Sequence, residues 1–295
     1  MRCHLNTGSG TLWAVSATIH APGSARRPSR LRRWLVGLAV LALSSYAAAV
    51  TAVGMRQEEL LFHPSALDPA AVLSSDPDVH ELTVPVPGAQ LSVVQMRLPH
   101  PKGVVFFLHG NSGSIPRWLS ATEFYRRASF DLVMMDYRGF GKSTGHIESE
   151  AQLHADVRAV WDRVAPRYAG KRIVIYGRSL GTGLAAPLAA DIQPDLTILV
   201  SPYTSMTALA RLHLPWVPSF VLRYPLQAEA ALERVHAPML LLHGDRDTLI
   251  PITESRALLA KLPGARLIVV EGAAHADMHR FDAYHDGIWA ALEQL

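Results

Sequence analysis

Six apolar runs of strand length pattern the chain after residue 100: Val104–Leu108, Leu132–Asp136, Arg172–Tyr176, Thr197–Val200, Met239–Leu242 and Leu267–Val270. Each run is continuous rather than alternating, as expected of strands covered on both faces. Between or after them lie segments of helical length, Ser149–Val164, Leu180–Ile192, Thr253–Leu262 and Ala276–Leu292. Strand–helix alternation of this kind implies an α/β fold, with a mostly parallel central sheet flanked by helices and right-handed crossovers. Leu82–Val86 and Leu91–Leu98, joined through Pro87-Gly88, read as an antiparallel pair ahead of the parallel part. The Pro-containing stretch from His63 to Pro87 reads as linker and early edge structure.

Open sheets of this class do chemistry at the carboxyl ends of their strands. Most of the runs end at polar or Gly-rich residues: His109-Gly110-Asn111, Asp136-Tyr137-Arg138-Gly139, Gly177-Arg178-Ser179, His243-Gly244-Asp245, and Glu271-Gly272 leading to His275. The sharpest signal is Gly177-Arg178-Ser179-Leu180-Gly181, a G-x-S-x-G set between a strand and a helix. Such a turn strains the serine backbone, and side chains two residues either side would collide, hence the glycines. The helix that follows points its N-terminus at the same spot and favours negative charge there. Ser179 is the candidate nucleophile, and the backbone N–H of Leu180 is a candidate oxyanion donor.

A serine hydroxyl needs a base that is itself oriented by a carboxylate. In this strand order the acid and then the histidine follow the serine. The run Met239–Leu242 leads into His243-Gly244-Asp245-Arg246-Asp247-Thr248-Leu249-Ile250-Pro251, and Leu267–Val270 leads to His275. Asp245 and Asp247 are both candidate acids. His279 and His285 are rival bases, but they fall inside the final helical segment, whereas His275 precedes it.

Together the segments HGNSG (109–113), DYRGFGKS (136–143), GRSLGTG (177–183), HGDRDTLIP (243–251) and GAAH (272–275) resemble the serine hydrolases of the α/β-hydrolase superfamily. More narrowly, they resemble the membrane-anchored bud-emergence-related group, grouped with serine aminopeptidase-type hydrolases. The resemblance covers residues 56–295. It implies Asp247 as the acid and His275 as the base, with Asp245 ordering the loop and His109 and His243 serving packing and loop hydrogen bonds. It also implies that the N–H of Asn111, in the loop after Val104–Leu108, joins that of Leu180 in an oxyanion hole. The G-K-S at residues 141–143 is no phosphate loop: Asp136 stands where the first glycine of G-x-x-x-x-G-K-[ST] belongs. No cofactor and no metal are expected, and the single cysteine, Cys3, excludes an intramolecular disulfide.

From Trp34 to Met55 the chain has no charged residue, and 22 residues rising ~1.5 Å each span a hydrocarbon core. Five Arg between Arg26 and Arg33 precede this run. By the positive-inside rule the N-terminus stays cytoplasmic and the body is exported, to the periplasm or the exterior. The expected organisation is a disordered basic tail over residues 1–33, a transmembrane signal anchor over 34–55, and a hydrolase domain over 56–295. The alternative is a signal peptide cleaved at Ala47-Ala48-Ala49 and a secreted body. The net charge is +3, yet six of the 28 basic residues and none of the 25 acidic ones lie in residues 1–55. The remaining body therefore has a slight acidic excess, which argues against a nucleic-acid partner.

Ser201 to Pro238 is too long a connection for a simple loop, and on such a sheet it forms a short cap over about residues 206–236. Its apolar residues Trp216, Phe220 and Tyr224 are candidates for lining an acyl-binding mouth. No acidic residue lies between Ser201 and Gln227, so a pocket for an N-terminal amine is not evident. The sequence therefore points to a membrane-anchored serine hydrolase of carboxylic esters or thioesters, with small-molecule or lipid-like substrates such as lysophospholipids or acyl thioesters. The alternatives are a peptidase or amidase using the same triad, and a tethered scaffold of hydrolase fold without turnover. Nothing in the sequence identifies a protein partner.

Overall fold

A computed structural model describes residues 29–119 and 122–295 of the 295-residue chain. The chain divides between Ala47 and Ala48. Before that boundary the described residues after Ser29 belong to one helix, α1 (Arg30–Met55), which buries none of its side chains. By length and composition α1 can cross a membrane, with a mean hydropathy of 1.9 over its most apolar 18-residue window. The helix opens at Arg30, inside the expected 1–33 tail; residues 1–28 of that tail lie outside the described residues.

The second unit runs in chain order through α2 (Gln57–Leu61), β1 (His63–Pro64), β2 (Val79–Val86), β3 (Ala89–Met96), β4 (Gly103–Leu108), β5 (Ser112–Gly113), α3 (Ile115–Trp118), α4 (Thr122–Arg127) and β6 (Phe130–Met135). Then follow α5 (Glu150–Val164), β7 (Arg172–Arg178), α6 (Leu180–Ile192), β8 (Leu196–Val200), α7 (Met206–His213), α8 (Ala228–Leu232), β9 (Met239–Gly244), α9 (Thr253–Lys261), β10 (Ala265–Val270) and α10 (Asp282–Glu293). Eight strands make one sheet in the order β2-β3-β6-β4-β7-β8-β9-β10. β3 is antiparallel to both β2 and β6, and every other pairing is parallel.

The continuous apolar runs have a plain cause. Alternate residues of a strand face opposite sides, and helices cover both sides here. Val104, Phe106, Leu108 and Ile175 pack on the side of α5 and α6, with Leu153, Val157 and Leu184. Val105, Phe107, Val174 and Tyr176 pack on the other side, with Tyr125 of α4 and Tyr284 and Ile288 of α10. Coverage fails only toward the edge: in β10, Val269 is 37% exposed. Helix α5 starts where Ser149 caps it, its Oγ accepting from the N–H of Gln152 at 3.1 Å.

The stretch 63–87 carries the expected early edge structure: His63–Pro64 pairs in parallel with Ser112–Gly113, and the edge strand β2 begins at Val79. Two local features depart from the sequence reading. The expected helix Ala276–Leu292 is instead a 3-10 turn, Met278–Arg280, followed by α10. The short α2, just after the apolar helix, is fastened to the cap. Gln57 is buried, donates from Nε2 to the carbonyl of Val221 at 2.7 Å and accepts the N–H of Arg223 at 2.8 Å. Glu58 pairs with Arg223 and accepts from the hydroxyl of Tyr224 at 2.6 Å. Sequence periodicity cannot flag a five-residue helix held by polar contacts of this kind.

Candidate active site

The turn from β7 into α6 has no loop. Ser179 sits between them at φ 51°, ψ −121°, its N–H donating to the carbonyl of Val200 at 2.9 Å. A non-glycine residue in that conformation is strained by about 1–3 kcal/mol. The flanking glycines exist because backbone passes where a side chain would be. A Cβ on Gly177 would lie 2.7 Å from the carbonyl oxygen of Gly181 and 2.8 Å from the Cβ of Ala185, and one on Gly181 would run into the carbonyl of Leu108. The elbow thus wedges α6 against β4 and β7.

His275 leaves the end of β10 in a loop, and its Nε2 lies 3.0 Å from the Oγ of Ser179. Its Nδ1 lies 2.7 Å from Oδ2 of Asp247, which follows β9. A carboxylate can only accept, so Nδ1 carries the proton and the lone pair of Nε2 faces the serine hydroxyl. Asp247 is fixed in turn. Its Oδ2 accepts from the Oγ–H of Ser201 at 2.9 Å, and its Oδ1 accepts the N–H groups of Leu249 and Ile250 at 3.0 and 2.8 Å. Burial pushes the Asp247 carboxyl up, but the imidazoles of His243 and His275 and the N–H of Ile250 outweigh burial and hold it well below the usual carboxylate range. It is therefore ionised at neutral pH.

The rival residues have other work. Asp245 is exposed and accepts the N–H of Gly272 at 2.7 Å, tying the β9 and β10 loops together. His243 donates from Nε2 to the carbonyl of Ile250 at 2.7 Å and meets the hydroxyl of Ser255 through Nδ1. His109 is buried under the loop after β4, with Nδ1 donating to the carbonyl of Gly110 at 2.7 Å. His285 contacts the carbonyl of His279, and neither ring bonds to Ser179. Burial, with Arg178 and Arg280 nearby, holds His279 below the ordinary histidine value.

Two cavities meet at Ser179. One is a cleft of about 380 Å³ with apolar walls, lined by Leu209, Leu214, Leu222 and Tyr224 from the cap, and by Val53 and Leu60 from the chain before β1. Asn111 and Leu180 share this cleft with Ser179. Among the described residues neither of their N–H groups is engaged in a hydrogen bond, so both remain available to an oxyanion. Of the three cap residues expected at the mouth, Tyr224 lines the cleft. Trp216 and Phe220 do not, and Phe220 is 87% exposed. The second cavity, about 670 Å³, is flanked by His275, Arg117, Trp118, Arg178 and Arg280. Neither this basic chamber nor Ser201 behind Asp247 is evident from the sequence. The local signals are an arginine inside the elbow and a serine just after β8. Among the described residues no cluster of three or more His, Cys, Asp or Glu is arranged to hold a metal ion.

Residues 99–228 match the family described as serine aminopeptidase, S33 (Hydrolase_4). The chain is 30% identical over 260 residues to an uncharacterised protein, MT2364, of Mycobacterium tuberculosis (strain CDC 1551 / Oshkosh), covering 85% of this chain and 91% of that one. It is 30% identical over 196 residues to the human alpha/beta hydrolase domain-containing protein 17B, covering 63% of this chain and 65% of that one. Its fold is similar to that of the esterase Pf2001 of Pyrococcus furiosus, with a TM-score of 0.63 at 19% identity, covering 79% of this chain and 97% of the esterase. The sheet order, the elbow at the end of β7 and these similarities lead to one conclusion: the chain belongs to the α/β-hydrolase superfamily and is a hydrolase.

Proposed function

We propose that the chain is a serine hydrolase of carboxylic esters or thioesters, tethered to a membrane by α1. The observation that carries this reading is the hydrogen-bonded series Ser179–His275–Asp247, with spacings of 3.0 and 2.7 Å, beside an apolar cleft and two unengaged N–H groups. In this reading Ser179 Oγ attacks the acyl carbonyl and His275 Nε2 takes its proton. Asp247 holds the imidazole and stabilises its cation. The N–H groups of Asn111 and Leu180 receive the oxyanion, each contributing about 3–4 kcal/mol of barrier lowering in comparable sites. His275 then returns the proton to the leaving group, and water, deprotonated by the same imidazole, releases the acyl group from Ser179.

The apolar cleft favours an acyl chain over a polar side chain. An aminopeptidase would need an acidic group for the substrate amine, and among the described residues neither cavity is lined by Asp or Glu. The Arg residues before the uncharged run 34–55 support a cytoplasmic N-terminus and an exported body; sedimentation with membranes after carbonate washing tests the tether. The decisive experiment is fluorophosphonate labelling of the full chain with hydrolysis of p-nitrophenyl butyrate. Wild type is expected to label and turn over, and Ser179→Ala to do neither. A folded wild type that does neither would instead support a scaffold of hydrolase fold.

A further inference from the structure

The two cavities at Ser179 are not equivalent, and His275 distinguishes them. The proton taken from Ser179 must be delivered to the leaving oxygen or sulfur, so the leaving group lies on the side that His275 flanks. His275 lines the larger chamber and not the apolar cleft. The acyl chain then occupies the cleft between α2, the end of α1 and the cap, and the alcohol or thiol half of the substrate occupies the chamber. This assignment rests on the serine-hydrolase reading above.

The chamber is built for negative charge. Arg178, inside the elbow, is only 8% exposed. Its side chain makes one hydrogen bond among the described residues, from Nη2 to the carbonyl of His275 at 3.2 Å, and its guanidinium lies 5.3 Å over the ring of Trp118. Among the described residues no carboxylate pairs with it. Elsewhere the fold treats a buried arginine differently: Arg138, 6% exposed, is gripped by Asp156 through Nε and Nη2 at 2.6 and 2.9 Å. A buried cation without a counter-charge is costly, and a well-placed anion relieves that cost. Arg117 and Arg280 line the same chamber, neither forms an ion pair among the described residues, and the walls hold no Asp or Glu. Three guanidiniums without acid partners suit the several oxygens of a phosphate.

We propose that the chamber receives a phosphate-bearing leaving group, so that the substrate is an acyl ester or thioester whose alcohol or thiol half carries phosphate. The acyl–oxygen or acyl–sulfur bond breaks, the acyl group passes to Ser179 Oγ, and the proton on His275 goes to the departing phosphate-bearing alcohol or thiol. Water then hydrolyses the acyl-serine. Two sources offer this chemistry, the headgroup of a lysophospholipid and the nucleotide arm of an acyl-coenzyme A.

The test measures kcat/KM for the full chain in detergent with substrates sharing one decanoyl chain. Decanoyl lysophosphatidylglycerol is compared with monodecanoylglycerol, and decanoyl-coenzyme A with decanoyl-N-acetylcysteamine. At least a tenfold preference for the phosphate-bearing member is expected in one pair, and that pair names the source. The preference should fall to within threefold in Arg178→Gln. It should fall likewise in the double variant Arg117→Gln/Arg280→Gln, whose exposed positions leave folding undisturbed. Equal kcat/KM within both pairs, or a preference that survives the double variant, overturns the proposal while leaving the serine-hydrolase reading intact. Loss of all turnover and of fluorophosphonate labelling in a folded wild type overturns that reading and this proposal with it.

Discussion

Replacing Asp247 by Asn tests the site through a single atom. Oδ1 of Asp247 accepts two backbone N–H groups, from Leu249 and Ile250, and the amide oxygen of Asn keeps both. The amide nitrogen must then stand where Oδ2 was, 2.7 Å from Nδ1 of His275. Two donors cannot face each other there, so the imidazole shifts its proton to Nε2. That N–H then points at the Oγ of Ser179 from 3.0 Å, where a lone pair is required. The backbone stays in place while the base is lost. For a triad held this way the expected fall in kcat is about 10⁴-fold, or about 5.5 kcal/mol of barrier. Asp245→Asn, which loses only a carboxylate acceptor for the N–H of Gly272, should cost no more than about threefold, in keeping with a surface loop contact. The assay is p-nitrophenyl butyrate hydrolysis alongside the rate of fluorophosphonate labelling, with circular dichroism to establish folding. A folded Asp247→Asn within tenfold of wild type would refute the reasoning, as would an Asp245→Asn that loses as much.

The remaining predictions concern stability. Gly181→Ala forces a methyl into the carbonyl of Leu108, and by overpacking it should destabilise the body by about 1–3 kcal/mol, read from denaturant melts. Gln57→Ala strips the cap of the side chain that holds Val221 and Arg223; faster hydrogen exchange confined to residues 219–224 is expected, and an unchanged rate would remove α2 from the account. Because the folded Asp247 carboxyl lies below its ordinary value, its ionisation favours the folded state above an unfolded pKa of about 3.9. That contribution is lost as pH falls through the lower, folded value. The stability gap between wild type and Asp247→Asn should therefore be full at pH 7 and close progressively below about pH 4, and a gap independent of pH would contradict it.

What the sequence disclosed, and what it withheld, follows from the range of the forces involved. The parallel strands were legible because double-sided burial leaves a continuous apolar run, as in Val104–Leu108. The elbow was legible because its glycines answer to contacts within a few residues. Chain order left Asp245 and Asp247 both open as the acid, and only the family resemblance pointed to Asp247 with His275. The misses depend on distant partners. Gln57 matters only because Val221 and Arg223 come to it, more than 160 positions away. Arg178 reads as a mere spacer in G-x-S-x-G until Trp118 and the carbonyl of His275 surround it. Trp216 and Phe220 show the opposite case: aromatic residues in a cap suggested a lining, but neither lines the cleft and Phe220 is exposed.

The positive φ of Ser179 has an evolutionary consequence. The elbow holds about 1–3 kcal/mol of backbone strain that serine cannot relieve and glycine can. Against this, glycine adds about 0.5–1 kcal/mol of unfolded-state freedom. Ser179→Gly should then be inert yet at least as stable as the active chain. On the proposed mechanism, loss of function at this position runs downhill in folding free energy, so selection for turnover is what keeps a serine there. Among descendants of such a hydrolase, a glycine at the elbow would mark a lineage in which the fold has been released from chemistry.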